Sequence, residues 1–381
     1  MAKIFEQELP GEGSVLVAVA FNVHGTRMAT STSDRAVKIW DYDGSESKPW
    51  KSVAVWKDAY GTVSHLSWGH PQIGQFLAMS CCDRRIIICK EMSSKSNSIY
   101  LELQSWKNVF TIVLPHFPAT DIQFSPIEMG LILAVSTTDG KIWLYSAPSD
   151  NLYNWEMVQS VYIPFKCTKL IWNPSYKREK LPKNRSIIKV HQEQKKRPLP
   201  RDYIRNALRI GRPTRTAYDP NELPKMPFVP TDNDQYILIP QHQMLAAISD
   251  EPSKNGKGLI SFVQYFPAAK QWYPLSVKFD GKEPVYDLSF IPRLNRCYDM
   301  FLVASGQIHL YTLFQILNKN GVVRYQLNLI NTFANEKEGI FKVSWDLIGS
   351  SVFSAGTDKS IRLWRENEKH KFINTAVVTP S

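Results

Sequence analysis

Apolar and polar residues alternate along most of this chain, which is the period of strands that bury one face. The alternating runs follow one order that recurs six times. A strand ends in an aromatic, a turn follows, and then come a strand rich in Ala and Ser, an Asp, and a third strand. The first three segments are Val17–Asp41, Val63–Glu91 and Thr120–Ala147. The fourth is split between Thr168–Ser175 and Gln243–Phe266; the last two are Val285–Leu313 and Phe341–Glu366.

The spacing is regular. From the Asp to the residue ending the third strand is six positions in Asp34–Trp40, Asp83–Cys89, Asp139–Tyr145 and Asp358–Trp364. From the first-strand aromatic to the same end is 19 in Phe21–Trp40 and Trp345–Trp364. It is 21 in Trp68–Cys89, Phe124–Tyr145 and Phe290–Tyr311, with the extra residues in the first turn. Each unit is a small antiparallel sheet that cannot bury both faces alone, and stacking around an axis covers both. The pattern therefore predicts an all-β, six-bladed β-propeller, a single domain over residues 1–381.

Asp34, Asp83, Asp139 and Asp358 are read as structural turn residues, because a tight turn needs a short acceptor that can bond backbone N–H groups. Repeat five has Ser305-Gly306 in that place. Trp40, Tyr145, Tyr311 and Trp364 are read as core anchors. Past Trp364, His370–Val378 supplies an outer strand for blade six, and before Val17 the one strand-like piece is Ile4–Leu9. An open ring is expected, with an unpaired edge at Ile4, Phe5 and Leu9 that invites a partner strand or blade. The alternative is that Ile4–Leu9 closes the ring internally.

Charge changes the picture at one place. The chain carries a net +11. Residues 176–230 hold fifteen Lys and Arg, five Asp and Glu and eight prolines, a net +10, which leaves +1 for the rest. This stretch interrupts blade four as a basic, Pro-rich, flexible insertion, with a short helix expected at Asp202–Ile210. Three readings stand: a solvated loop with no ligand, a targeting or receptor-binding tract at Lys195, Lys196 and Arg197, or contact with nucleic acid or an anionic membrane. Aromatic interleaving is thin, so a stacking platform for single strands has little support.

No catalytic, metal-binding or cofactor-binding constellation emerges. The eight histidines are scattered, and no nucleophile elbow or phosphate loop is present. Asn255-Gly256 reads as a hairpin turn. The five cysteines form no C-x-x-C pair and suit core positions in a reducing compartment. The chain has no apolar run of about 18 residues, and acids fall where a signal peptide would be apolar, so it reads as soluble and nucleo-cytoplasmic.

The units resemble WD repeats: Trp40-Asp41 keeps the dipeptide, while the usual Gly-His is missing. SWGHPQIGQFLAMSCCDRRIIICKE resembles the second blade of the small propellers shared by the nuclear-pore scaffold and the COPII coat. FSPIEMGLILA, DGKIWLYSAPSDNLYNW, LIWNPS, PVYDLSFIP and VSWDLIGSSVFSAGTDKSIRLW resemble the SEH-type nucleoporins of the SEC-thirteen/SEH family. The likeness covers nearly everything outside residues 176 to about 235. It implies an open six-bladed ring, filled by a blade that an α-solenoid nucleoporin supplies in trans, within the Y-shaped nuclear-pore scaffold. It also implies other Y-complex partners, a second role in a GATOR-type nutrient-signalling complex at lysosomal or vacuolar membranes, and kinetochore association. The rival readings are a COPII-coat subunit and a nucleic-acid-binding protein acting through the insertion.

Overall fold

A computed structural model describes residues 14–44, 49–57, 61–92, 105–148, 153–174, 235–236, 243–252, 258–266, 269–275, 277, 279, 281, 283–292, 299–317, 323–333, 339–367 and 371–379. The fold is a six-bladed β-propeller: six antiparallel sheets and, among the described residues, no α-helix. Blade one is β1 (Leu16–Phe21), β2 (Arg27–Thr32), β3 (Val37–Tyr42) and β4 (Trp50–Trp56). Blade two is β5 (Val63–Trp68), β6 (Phe76–Cys81), β7 (Arg85–Met92) and β8 (Ser105–Val113). Blade three is β9 (Ala119–Phe124), β10 (Ile132–Thr137), β11 (Lys141–Ser146) and β12 (Glu156–Tyr162).

Blade four opens with β13 (Lys169–Trp172), and the short β14 (Gln235–Tyr236) follows in the chain. The sheet then continues with β15 (Met244–Ser249), β16 (Leu259–Phe266) and β17 (Gln271–Pro274). Blade five is β18 (Asp287–Phe290), β19 (Asp299–Ser305), β20 (Gln307–Leu317) and β21 (Val323–Phe333). Blade six is β22 (Ile340–Trp345), β23 (Ser351–Gly356), β24 (Ile361–Glu366) and β25 (Phe372–Val378), so the tail after Trp364 does form its outer strand.

The spacing rule has a visible cause. In blades two and three the extra first-turn residues wind into single 3₁₀ turns, Pro71–Ile73 and Ile127–Met129. A second regularity was not visible in the sequence. The pairing of third and outer strands shifts at Ile39/Trp40, Ile88/Cys89, Leu144/Tyr145, Leu310/Tyr311 and Leu363/Trp364, just before the anchor position each time. A bulge there increases the local twist, which lets each outer strand turn away from the blade axis. Blade five differs: with Gly306 at φ +77 in place of an Asp turn, its backbone N–H and carbonyl pair with Ile340.

Residues 176–230, with the expected helix at Asp202–Ile210 and the tract Lys195, Lys196 and Arg197, lie outside the described residues, as do Asn255-Gly256 and Ile4, Phe5 and Leu9. The repeat pattern places the whole excursion in blade four. Just beyond it, however, β14 pairs with the far end of β20 in blade five, Gln235 opposite Leu317 and Tyr236 opposite Ile316.

The chain divides into two compact units, Met1–Trp172 with Leu245–Ser249 and Ser261–Pro274, and the remainder. In the first unit, one core joins Ala29, Val37 and Ile39 of blade one to Leu66, Leu77, Met79 and Ile87 of blade two. Another joins Phe76, Ala78, Ile86 and Ile88 of blade two to Ile122, Phe124, Leu133 and Val135 of blade three. The second unit has the same arrangement, with Leu302, Ile308 and Leu310 of blade five against Val343, Trp345, Val352 and Trp364 of blade six. Alternation along each strand sends one set of side chains to the preceding blade and the other to the following one.

Candidate partner interface

The turn aspartates sit between second and third strands and bond their own turns. Asp34 accepts the Thr32 hydroxyl at 2.5 Å and the Ala36 N–H at 3.5 Å, with Lys57 Nζ at 3.2 Å. The Thr32 hydroxyl and Lys57 hold its carboxyl down at about 2. Asp83 accepts the Arg85 N–H at 3.2 Å. Asp139 accepts the Thr137 hydroxyl at 2.5 Å and the Lys141 N–H at 3.4 Å. Desolvation pushes the Asp139 carboxyl up, but Thr137 and Lys141 outweigh it and leave the group below the ordinary carboxylate range. Asp358 accepts the Ser360 N–H at 3.1 Å and pairs with the Arg362 guanidinium, which drives it lower still. The residue after the Asp takes positive φ: Arg35 at 66°, Arg84 at 72°, Gly140 at 78° and Lys359 at 62°.

The anchors Trp40, Tyr145 and Trp364 are buried, whereas Tyr311 is half-buried. Two of the indoles complete a bond inside the blade, Trp40 Nε1 donating to Thr30 Oγ1 at 2.9 Å and Trp364 Nε1 to Ser354 Oγ at 2.8 Å. Cys81, Cys89 and Cys167 are buried as expected, Cys82 is exposed, and Cys297 lies outside the described residues. Burial pushes the Cys81 thiol up to about 11 and Cys167 up to about 12, so neither supplies a thiolate near neutral pH.

Blade-to-blade fastening follows a two-blade rhythm. Indole N–H groups of Trp68, Trp172 and Trp345 donate to the carbonyls of Ala20, Gln123 and Ser289 on the preceding inner strand, at 3.0, 3.1 and 3.2 Å. Two aspartates that the sequence reading did not single out work in the opposite direction. Asp121 accepts Ile122 N–H and, across to blade four, Leu170 N–H, each at 2.8 Å. Asp287 accepts Leu288 N–H at 2.9 Å and, across to blade six, Val343 N–H at 3.1 Å. Both lie three residues before the first-strand aromatic, a position held by His65 in blade two and by the lysines Lys169 and Lys342 in blades four and six. His65 Nδ1 lies 3.7 Å from Asp121, and Lys342 Nζ lies 4.0 Å from Asp287. Burial raises the Asp121 carboxyl, opposed by His65 and the two N–H groups, and it lowers His65. The signal that could have found these residues is that shared column, which appears only once the six first strands are aligned on their aromatics.

The interior blade faces define what a covered surface looks like. At three matched positions facing the following blade stand Ala29, Val37 and Ile39; Ala78, Ile86 and Ile88; and Ala134, Ile142 and Leu144, all fully buried. Blade five has Leu302, Ile308 and Leu310 there, also buried. The matching residues of blade six are Phe353, Ile361 and Leu363. Phe353 is 44% exposed and Ile361 52% exposed. In the first unit, blade one has a comparable surface on β1: Ala18 and Ala20 pack toward blade two, while Val17, Val19 and Phe21 point the other way, 41%, 44% and 54% exposed. Trp50 packs edge-on against Phe21 at 5.7 Å between ring centroids and extends this aromatic surface.

Among the described residues no group of three or more His, Cys, Asp or Glu is placed to hold a metal ion, and no helix is long and apolar enough to cross a membrane. Uncovered strand faces of this kind are suited to packing against another sheet.

The family description "WD domain, G-beta repeat" matches residues 4–41 and 327–365. Nucleoporin SEH1 of Xenopus tropicalis is 27% identical over 354 residues, 92% of this chain and 81% of that protein. Over nearly its whole length the chain is similar to the SEH1 nucleoporins. Human Nucleoporin SEH1 matches to the same extent, and the Danio rerio SEH1 is 24% identical over 92% of this chain and 80% of its own length. Among solved structures, a chain of "Crystal Structure of Mitotic Checkpoint Complex" superposes with a TM-score of 0.52 at 10% identity. It covers 93% of this chain and 76% of that chain, a likeness of fold alone. The SEH1 likeness runs the length of the repeats, so it is a likeness of the whole propeller rather than of a single blade.

Proposed function

We propose that this protein is a structural subunit of the nuclear-pore scaffold, completed by a blade that an α-solenoid nucleoporin supplies in trans. The observation that carries the reading is the pair of uncovered faces at the two ends of the repeat series, with Phe21, Val17 and Val19 in blade one and Phe353 and Ile361 in blade six. Every other matched position in blades one, two, three and five is buried by a neighbouring blade of the same chain. A face built to be covered and left uncovered calls for another sheet, and the SEH1 likeness supplies the setting. In this reading the work of the molecule is mechanical. It stiffens and extends a helical partner, other Y-complex subunits join the same assembly, and the protein resides at the nuclear envelope.

Membership of a GATOR-type complex and presence at kinetochores are extensions of the same family reading, and both would use the same docking faces. A COPII-coat role is the rival within the fold class. Affinity purification from cells separates the readings: scaffold nucleoporins in the eluate are expected, and coat subunits or chromatin in their place would overturn the proposal. The basic insertion is a separate element, read as an addition to the scaffold. Its contribution is tested by deleting residues 176–230, which should leave the nucleoporins in the eluate.

A further inference from the structure

The uncovered face of blade six differs from the covered faces in one respect beyond exposure. Facing the following blade at the first matched position, blades one, two and three carry Ala29, Ala78 and Ala134. A methyl group there lets the next inner strand lie close. Blade five has Leu302, and blade six has Phe353, a large ring where three blades have a methyl. Ile361 and Leu363 flank it on β24, as Val37 and Ile39 flank Ala29 on β3.

A polar mark accompanies the ring. In blade two, Ser67 precedes the inner-strand aromatic, and its Oγ accepts the backbone N–H of Phe124 from blade three at 3.0 Å. The corresponding residue of blade six is Ser344, which is exposed, whereas Ser67 is buried. Blade six thus repeats the acceptor by which blade two fixes the position of its neighbour.

We infer that Phe353 is a specificity-determining knob, and that the occupant of this face is a partner blade whose inner strand carries a recess opposite the ring and donates a backbone N–H to Ser344. This deepens the proposal above and rests on it. A strand built like those that pack on Ala29, Ala78 and Ala134 leaves no room for the ring and is excluded; a strand with Gly or Ala at the facing position receives it. The ring therefore both anchors the correct partner and rejects a second copy of this chain.

The test uses the full chain with the α-solenoid nucleoporin of the same organism, co-expressed and titrated by calorimetry. Phe353→Ala should weaken binding at least tenfold, Ser344→Ala severalfold, and Leu347→Ala, in the exposed first turn of blade six, not at all. Thermal unfolding of each variant alone should match the parent, which separates lost binding from lost folding. If the parent binds but Phe353→Ala binds equally well, the knob is wrong while the scaffold reading stands. If the parent itself does not bind, the scaffold reading fails and takes the inference with it. Self-association abolished by Phe353→Ala would make a second copy the occupant and overturn the inference. Protection of Phe353 that disappears on deleting residues 1–13 would assign the face to the chain's own N-terminal segment, and that too would overturn it.

Discussion

Gly140 shows how narrowly a single position can be set. It holds φ +78 in the turn after Asp139, and an added Cβ would run into the carbonyl oxygen of Ile163, whose own N–H bonds Gly140 O at 2.8 Å. Gly140→Ala should therefore cost about 2 kcal/mol or more from left-handed backbone and steric conflict together. The same turn in blade six tolerates Lys359 at φ 62, so Lys359→Gly should change stability by no more than about 1 kcal/mol. Urea unfolding of the two variants checks the contrast.

The turn carboxylates give the molecule an acid limit. Asp34, Asp139 and Asp358 are depressed in the folded chain, so each contributes stability that is fully present above an ordinary carboxylate pKa of about 4. That contribution is lost as the pH falls, in the case of Asp34 through about 2. Urea midpoints should drop between pH 4 and pH 2, and the drop should be smaller in Asp358→Asn. An equal drop in that variant would show that Asp358 carries no linkage.

At the scale of elements, the inner strands are fastened by groups that each do one thing. Both oxygens of Asp121 accept a backbone N–H, one from its own strand and one from β13. Asparagine offers only one acceptor there, so Asp121→Asn should leave a buried N–H unpaired and cost about 1–3 kcal/mol. Chemical denaturation of Asp121→Asn measures that cost, and a loss below about 0.5 kcal/mol would remove Asp121 from the fastening scheme.

Much of this level was legible beforehand. Strand periodicity, the Asp spacing and the anchor aromatics located all six sheets, because each reflects contacts within one blade. The indole-to-carbonyl bonds and the buried aspartates were not legible, because they join residues about fifty positions apart, as in Asp121 to Leu170. The β14–β20 pairing escaped for a related reason: a two-residue strand carries no periodicity.

At the scale of the whole molecule, a net charge of +11 suggests a protein that seeks nucleic acid, yet the repeats carry only +1 of it. In the proposed reading, the blades act through the uncovered apolar faces at the ends of the series. The open edge expected from the sequence, at Ile4, Phe5 and Leu9, lies outside the described residues; the exposed face of blade six, Phe353 above all, emerged only from the pairing register. The most direct test is an electron cryo-microscopy structure of the chain bound to the proposed partner, an α-solenoid nucleoporin. The account predicts a partner β-sheet packed over Phe353, Ile361 and Ser344, completing the propeller. A propeller closed by the chain's own residues 1–13, with the partner attached elsewhere, would contradict it.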